Sequence, residues 1–113
     1  MTTSPTIGDY LPKSGKTTLH EYFCRVMREK GITQYTMTKD LHVAKSSISR
    51  LWLGDGRMST LLAVKLEKYL GIPAMVWMYL QMQDDIRATK AKHANEVAKV
   101  PSYKNNYQDD EHE

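Results

Sequence analysis

The sequence is poor in the residues that support disulfide, metal or membrane chemistry. Its only cysteine is Cys24, so a disulfide within the chain is excluded, and its apolar neighbours predict a buried thiol rather than a nucleophile. The four histidines and Cys24 form no set of three or more residues at ligand spacing, so no metal site is expected. No apolar run approaches the roughly 18 residues of a membrane-spanning helix, and no signal-peptide pattern is present. We therefore expect a cytoplasmic protein.

The sequence also lacks the residue sets that enzymes use. It has no paired carboxylates, no nucleophile beside a base and no cluster of metal ligands. The segment SGKTT suggests a phosphate-binding loop, but six residues separate Gly8 from Gly15, where such a loop has four before its Gly-Lys pair. An enzyme is therefore the least favoured class, and neither a cofactor nor a small-molecule substrate is expected.

Composition predicts one small domain with tails. The chain has 113 residues, of which 41% are apolar, enough for one core. Residues 1–100 carry 15 Lys and Arg against 9 Asp and Glu, a charge of +6, whereas residues 101–113 carry 1 against 4, a charge of −3. A basic body with an acidic tail is compatible with a polyanionic partner, although the imbalance also serves solubility.

Helical spacing runs through the middle of the chain and defines three regions. Residues 1–17, rich in Pro, Gly, Ser and Thr, are predicted to be an arm without a core of its own. Residues 18–83 are predicted to form five helices, and residues 84–113 a polar helical extension followed by an acidic tail. We expect Pro101 to end that extension, and the tail after it to be disordered in isolation.

The second and third predicted helices have almost nothing between them. Gln34 to Leu41 follows a plausible N-cap, Thr33, and the run from Lys45 to Leu53 turns apolar residues inward and polar residues outward. Two such short helices form a helix-turn-helix, whose second helix fits the major groove of B-DNA. If that helix enters the groove, its outward side chains meet base edges: Lys45, Ser46, Ser49 and Arg50. The other interpretation is an ordinary solvated helix face.

This stretch resembles the Cro and phage-repressor (XRE) family of DNA-binding proteins. The resemblance extends as far as the segment LEKYLGI, which ends at residue 72. It rests on residues that fall at the family's signature positions: Gln34, Met37, Leu41, Val43, Ser46, Ile48, Ser49, Arg50 and Gly54. It implies an all-α, five-helix lambda-repressor-like domain. Three departures stand out: His42 replaces the usual glycine of the turn, Ala44 replaces a capping Ser or Thr, and Trp52 with Leu53 replaces polar residues, which predicts a covered apolar surface.

The resemblance also suggests contacts with the DNA backbone. Matching residue by residue places Gln34 on a phosphate, and it places Arg57 in the loop where relatives contact the backbone. Ser47, nearer the helix flank, is expected to support a phosphate contact. Arg57 has a plainer alternative as a solvated loop residue.

The fifth predicted helix is apolar around most of its circumference, more than one core face absorbs. We predict that it forms the interface of a homodimer through Met75, Trp77, Met78, Leu80 and Gln81, the alternative being packing within the chain. One recognition helix reads too few base pairs for useful selectivity, so a twofold dimer on a palindromic operator of double-stranded DNA is expected.

The segment PAMVWMYLQMQDDI resembles the corresponding helix of HigA-type antitoxins, in which a Trp, a Leu and a Gln recur as Trp77, Leu80 and Gln81 do here. That resemblance implies a nucleoid-associated antitoxin that silences a HigB-like toxin, an mRNA-cleaving ribonuclease of RelE type, and represses its own operon. Residues 1–17 and 84–113 are the candidates for toxin contact. Two alternatives remain: a Cro-like repressor of phage or mobile-element origin without a toxin, and a protein-interaction module that keeps the motif only as a scaffold.

Overall fold

The computed structural model describes residues 7–13 and 15–103, and their regular structure is entirely α-helical. No helix within these ranges is long and apolar enough to cross a membrane. In chain order the helices are α1 (Ile7–Tyr10), α2 (Leu19–Lys30), α3 (Gln34–Leu41), α4 (Lys45–Leu53), α5 (Thr60–Leu70), α6 (Ala74–Lys92) and α7 (Ala94–Ala98). The predicted all-α fold is confirmed, with α2 to α6 as the five expected helices.

Side-chain caps and glycines set the ends of these helices. Thr18 forms a capping box with Glu21 at the start of α2, and Ser59 accepts a hydrogen bond from the Leu62 amide at the start of α5. Gly31 and Gly71 end the same two helices with φ of 67° and 80°, a conformation in which a side chain is strained. The ends of these two helices are therefore determined by residues close to them in sequence, which is why the sequence predicts them.

The turn between α3 and α4 depends on α5 for support. His42 has φ of 55° and fills the position where glycine is usual, at a cost of about 1 kcal/mol. The Lys65 ammonium on α5 donates to the carbonyl oxygens of Leu41 and His42, at 3.0 and 3.4 Å. Tyr69 on α5 donates to the Asp40 carboxylate at 2.6 Å. The Lys65 bonds satisfy carbonyl oxygens at the end of α3, and together with the Tyr69 bond they hold the turn without glycine.

One core lies between the five helices α2 to α6, and aromatic rings form its centre. Trp77 on α6 is fully buried, with Tyr22 and Phe23 edge-on to its ring at centroid distances of 5.2 and 6.2 Å. Such edge-to-face pairs stabilise by about 0.5–1.5 kcal/mol beyond their buried area. Because α2 and α6 meet there, the fifth predicted helix belongs to the core of the single chain.

The predicted arm and the predicted helical extension both contact the helical domain. Within the predicted arm at 1–17, Tyr10 and Leu11 pack against the core, and the Arg87 guanidinium donates to the Gly15 carbonyl oxygen at 3.1 Å. Residues 1–6 and 14 of that arm lie outside the described residues. At the other end α6 runs without a break past residue 83, and the Asp84 carboxylate accepts the Leu19 amide at 3.0 Å. A break occurs at 93, and α7 ends before Pro101. Of the predicted tail after Pro101, residues 104–113 lie outside the described residues.

Candidate nucleic-acid interface

The outward face of α4 carries the side chains predicted to read bases. Ile48 and Leu51 are buried and fix the rotation of the helix about its axis. With that face inward, Lys45, Ser46 and Arg50 are exposed, and Ser49 is half-buried beside them. The first turn of α4 contains no acidic residue, and Ala44 provides no side-chain cap. The helix therefore presents a polar surface of positive charge with unfilled hydrogen-bonding capacity.

The loop that follows α4 folds back on the helix and delivers Arg57 to the same side. The amides of Gly54, Asp55 and Gly56 all donate to the Arg50 carbonyl oxygen, at 3.0, 3.1 and 3.1 Å. A Cβ on Gly56 would lie 2.9 Å from the backbone of Arg50 and Leu51, so only glycine fits. The loop conformation and the end of α4 are thus one structure.

Residues predicted to contact DNA bases and residues predicted to contact the DNA backbone line the same open depression, of about 440 Å³. Ser47, Arg50 and Arg57 line it together with Asp55 and Gly56. Among the residues assigned to phosphate, Ser47 and Arg57 therefore lie beside Arg50, which was assigned to a base. The three side chains form one surface with donors for bases and phosphates alike.

Two carboxylates border this surface and pair with its arginines. The Arg57 guanidinium donates to both oxygens of Asp85 on α6, at 2.9 and 3.0 Å. These bonds lower the pKa of Asp85 and raise that of Arg57, since each ion stabilises the other. Arg50 lies 3.8 Å from Asp55, a looser pair with both side chains well exposed. The sequence analysis assigned no role to either acid. For Asp85 the reason is its distance of 28 positions from Arg57, since no local pattern links the two.

Gln34 lies apart from the depression, at the first position of α3. The Thr33 hydroxyl accepts the Thr36 amide at 3.1 Å, which leaves other amides of this helix terminus open. Gln34 is half-buried. A phosphate at this terminus would meet free amide donors and the positive end of the helix dipole. The phosphate contact of Gln34 stays a prediction.

The far end of α4 is held from behind by α2. The His20 ring nitrogen Nε2 lies 2.9 Å from the Trp52 carbonyl oxygen, and the Cys24 thiol donates to the same oxygen at 3.8 Å. Cys24 is half-buried rather than fully buried as predicted, and this partial burial raises the pKa of its thiol. Within residues 7–13 and 15–103 no group of three His, Cys, Asp or Glu is arranged to hold a metal ion.

Comparison with known proteins gives structural neighbours but no family. No family description and no curated protein matches this sequence. The structure of antitoxin GraA superimposes with a TM-score of 0.69 at 22% identity, covering 76% of this chain and 95% of that one. A hypothetical protein from E. coli superimposes with a TM-score of 0.67 at 18% identity, covering 80% and 95%. At such identities the comparison establishes a shared fold.

The predicted dimer interface is partly wrong. Trp77, Leu80 and Gln81 are buried inside the single chain, and Met78 packs against the same core, so none of the first three has surface for a partner. The alternative of packing within the chain holds for them. Of the five residues only Met75 is fully on the surface, with 64% of its area exposed. The sequence showed that α6 has more apolar residues than one core face needs. It did not show which of them the core would bury.

A second apolar stripe runs along the solvent side of α6. It consists of exposed residues at spacings of four, three and four: Met75, Tyr79, Met82 and Ile86. These spacings keep all four on one helix face, about opposite the buried residues. The pattern is the a and d repeat of helices that pair with other helices. Leu53, on the outward side of α4, is another exposed apolar residue.

Proposed function

We propose that this protein is the antitoxin of a type II toxin-antitoxin system and represses its own operon by binding operator DNA. One observation carries the DNA-binding part: Lys45, Ser46, Ser49 and Arg50 stand outward on the second helix of a helix-turn-helix whose inward face is locked into the core. The antitoxin part is supported by the fold shared with antitoxin GraA and by the resemblance to HigA-type sequences.

The side chains of α4 divide into two roles. Arg50 has the planar fork that binds O6 and N7 of a guanine together, and Lys45 donates to either atom. Ser46 and Ser49 donate or accept at shorter range. Ser47 and Arg57, and Gln34 at the start of α3, hold phosphates and so fix the register of the helix in the groove. Sequence choice then depends on the first group and overall affinity on the second.

Dimerisation is assigned to the solvent stripe of α6. Met75 from the original prediction stays in this interface, and Tyr79, Met82 and Ile86 replace the buried residues. Pairing two copies of the stripe about a twofold axis removes apolar surface from water, at about 25 cal/mol for each Å² buried. It also places two copies of α4 on one DNA molecule, as a palindromic operator requires.

The toxin partner is proposed to be a small basic ribonuclease of HigB or RelE type. Contact is assigned to the regions flanking the DNA-binding helices, residues 1–17 and 84–113. Val97 and Val100, on and just after α7, are exposed and supply apolar surface beyond the stripe. The acidic residues at 109–113 suit a basic partner by charge.

Co-expression with the neighbouring gene tests both parts at once. We expect the two products to co-purify, and this protein alone to shift its upstream DNA in a salt-sensitive manner. Arg50→Ala should lose about 1–3 kcal/mol of operator binding and relax the preference at one base pair. Gln34→Ala should weaken operator and scrambled DNA equally, and Lys99→Ala, at the residue that follows α7, is the control.

The pattern of results separates the alternatives. Operator binding without a co-purifying partner would favour a Cro-like repressor of phage or mobile-element origin. Partner binding with no DNA shift at any salt concentration would favour an interaction module. Unchanged discrimination by Arg50→Ala at matched salt would refute its base-reading role.

A further inference from the structure

Leu53 occupies an unexpected position on the outward face of α4. Residues 46, 49, 50 and 53 lie three, four and seven positions apart and therefore share one side of the helix. Leu53 is 74% exposed, in line with Ser46, Ser49 and Arg50. Trp52, its equally apolar neighbour, turns the other way and packs edge-on to Phe23, with ring centroids 5.4 Å apart. The two residues therefore have separate roles.

The exposed side chain of Leu53 does not contribute to the core of the single chain. Gly54, one position later, ends the helix through its backbone, and the loop returns to Arg50 rather than over Leu53. A single exposed leucine on a protein surface is ordinary. What distinguishes this one is its line of neighbours, all of which are polar and face the same way.

We propose that Leu53 contacts the C5-methyl group of a thymine in the operator and selects thymine at that position. This inference rests on the proposed DNA-binding function. In the major groove the thymine methyl is the one apolar group on the base edges, whereas the other bases present hydrogen-bonding atoms there. A leucine cannot satisfy those atoms, so it favours thymine and disfavours the others.

The length of α4 is compatible with this contact. Seven residues separate Ser46 from Leu53, a rise of about 10 Å along the helix axis. At about 3.4 Å for each base pair, that rise corresponds to roughly three base pairs along the groove. Ser46 and Leu53 therefore read opposite ends of one half-site, with Arg50 between them.

The test removes the methyl group from DNA and the leucine from protein. Operator sequences are first selected from random duplexes with the unaltered protein. Each thymine is then replaced by deoxyuridine, which pairs identically but lacks the C5-methyl, at equivalent positions in both half-sites. We expect one position at which this change weakens binding about fourfold for each half-site. For Leu53→Ala the same DNA change should have no effect, and Leu53→Met should retain the dependence.

Because Leu53 is exposed, Leu53→Ala should unfold at the same temperature as the parent, which separates reading from folding. A methyl effect of equal size in parent and Leu53→Ala would overturn the inference, as would the absence of any methyl effect. A change in the oligomeric state of Leu53→Ala without methyl dependence would assign the residue to a protein contact instead. Failure of the unaltered protein to enrich any duplex would overturn the proposed DNA binding itself, a distinct result.

Discussion

Asp85 holds Arg57 by two parallel hydrogen bonds, 2.9 and 3.0 Å long, and so joins α6 to the loop after α4. The guanidinium is well exposed in this pair. A DNA phosphate would approach the same donors, and the fork geometry suits phosphate as well as carboxylate. Exposed pairs of this kind contribute little to stability, so the exchange of carboxylate for phosphate is inexpensive. We therefore predict that Asp85 competes with DNA phosphates for Arg57.

Replacing Asp85 by asparagine should raise the affinity for DNA a few-fold, whatever the sequence. The amide keeps an acceptor for Arg57 but removes the negative charge that repels phosphates, so the effect should shrink as salt is added. Titration of operator and scrambled duplexes by fluorescence anisotropy measures it. Glu96→Gln, which removes an equal charge from α7 at a site where the Glu96 side chain contacts the His93 ring at 3.1 Å, is the control. Weaker binding by Asp85→Asn would mean that the carboxylate positions Arg57 for DNA instead.

The pKa of Asp85 should show that its carboxylate is paired with Arg57. Its pKa is held below the usual 3.8 because Arg57 donates two hydrogen bonds to the ionised form. Since the folded-state pKa is lower than the unfolded one, the stabilisation is present at neutral pH and is lost as the pH falls below about 4. Carboxyl NMR should show the lowered value in the parent and a return towards 3.8 in Arg57→Gln. An identical value in both proteins would contradict the paired geometry.

Gly56→Ala should weaken DNA binding without altering any DNA-contacting side chain. The added Cβ would lie 2.9 Å from backbone atoms of α4, so the loop must shift and carry Arg57 with it. We expect a loss of about 1–3 kcal/mol in unfolding free energy and a uniform loss of affinity. Urea denaturation and DNA titration measure the two. Gly15→Ala is the matched control, since nothing lies within 4 Å of its Cβ position, and equal behaviour of the two variants would argue against the steric account.

Met82→Glu should convert a dimer into monomers. Met82 is 50% exposed in the middle of the α6 stripe, and a twofold axis would bring two carboxylates together in an apolar seam. Sedimentation at micromolar concentration should show the parent as a dimer and the variant as a monomer with weaker operator binding. Val97→Glu, at 52% exposure on α7, controls for an added charge. A parent that sediments as a monomer, or a dimeric Met82→Glu, would refute this interface.

Gln81→Leu should destabilise the fold of the single chain. The buried amide of Gln81 accepts the Met58 amide at 2.8 Å and donates to the Met58 carbonyl oxygen at 2.9 Å. Leucine would leave both backbone groups buried and unpaired, at a cost of about 2–4 kcal/mol. Chemical denaturation at two protein concentrations should show the same loss at each, as a core role requires. Gln83→Leu, which removes only an exposed bond to Tyr79, should change stability little.

Much of the local structure was predictable, because its causes lie within a few residues. The prediction of a helix from Gln34 to Leu41 and of another from Lys45 to Leu53 is confirmed to the residue, and His42 does adopt the left-handed conformation. The outward direction of Lys45 and Arg50 follows from helical period alone. Their contact with DNA remains a prediction.

The sequence by itself determined α2 to α5, the ends of these four helices and their inward faces, since these depend on spacing and capping between near neighbours. Tertiary structure decided how α6 divides its apolar residues: the core accepts Trp77 and Leu80, and Met82 stays outside. It also decided the pairing of Asp85 with Arg57. Both outcomes depend on which surfaces meet when distant segments pack, and the spacing of residues within one helix contains no record of that choice.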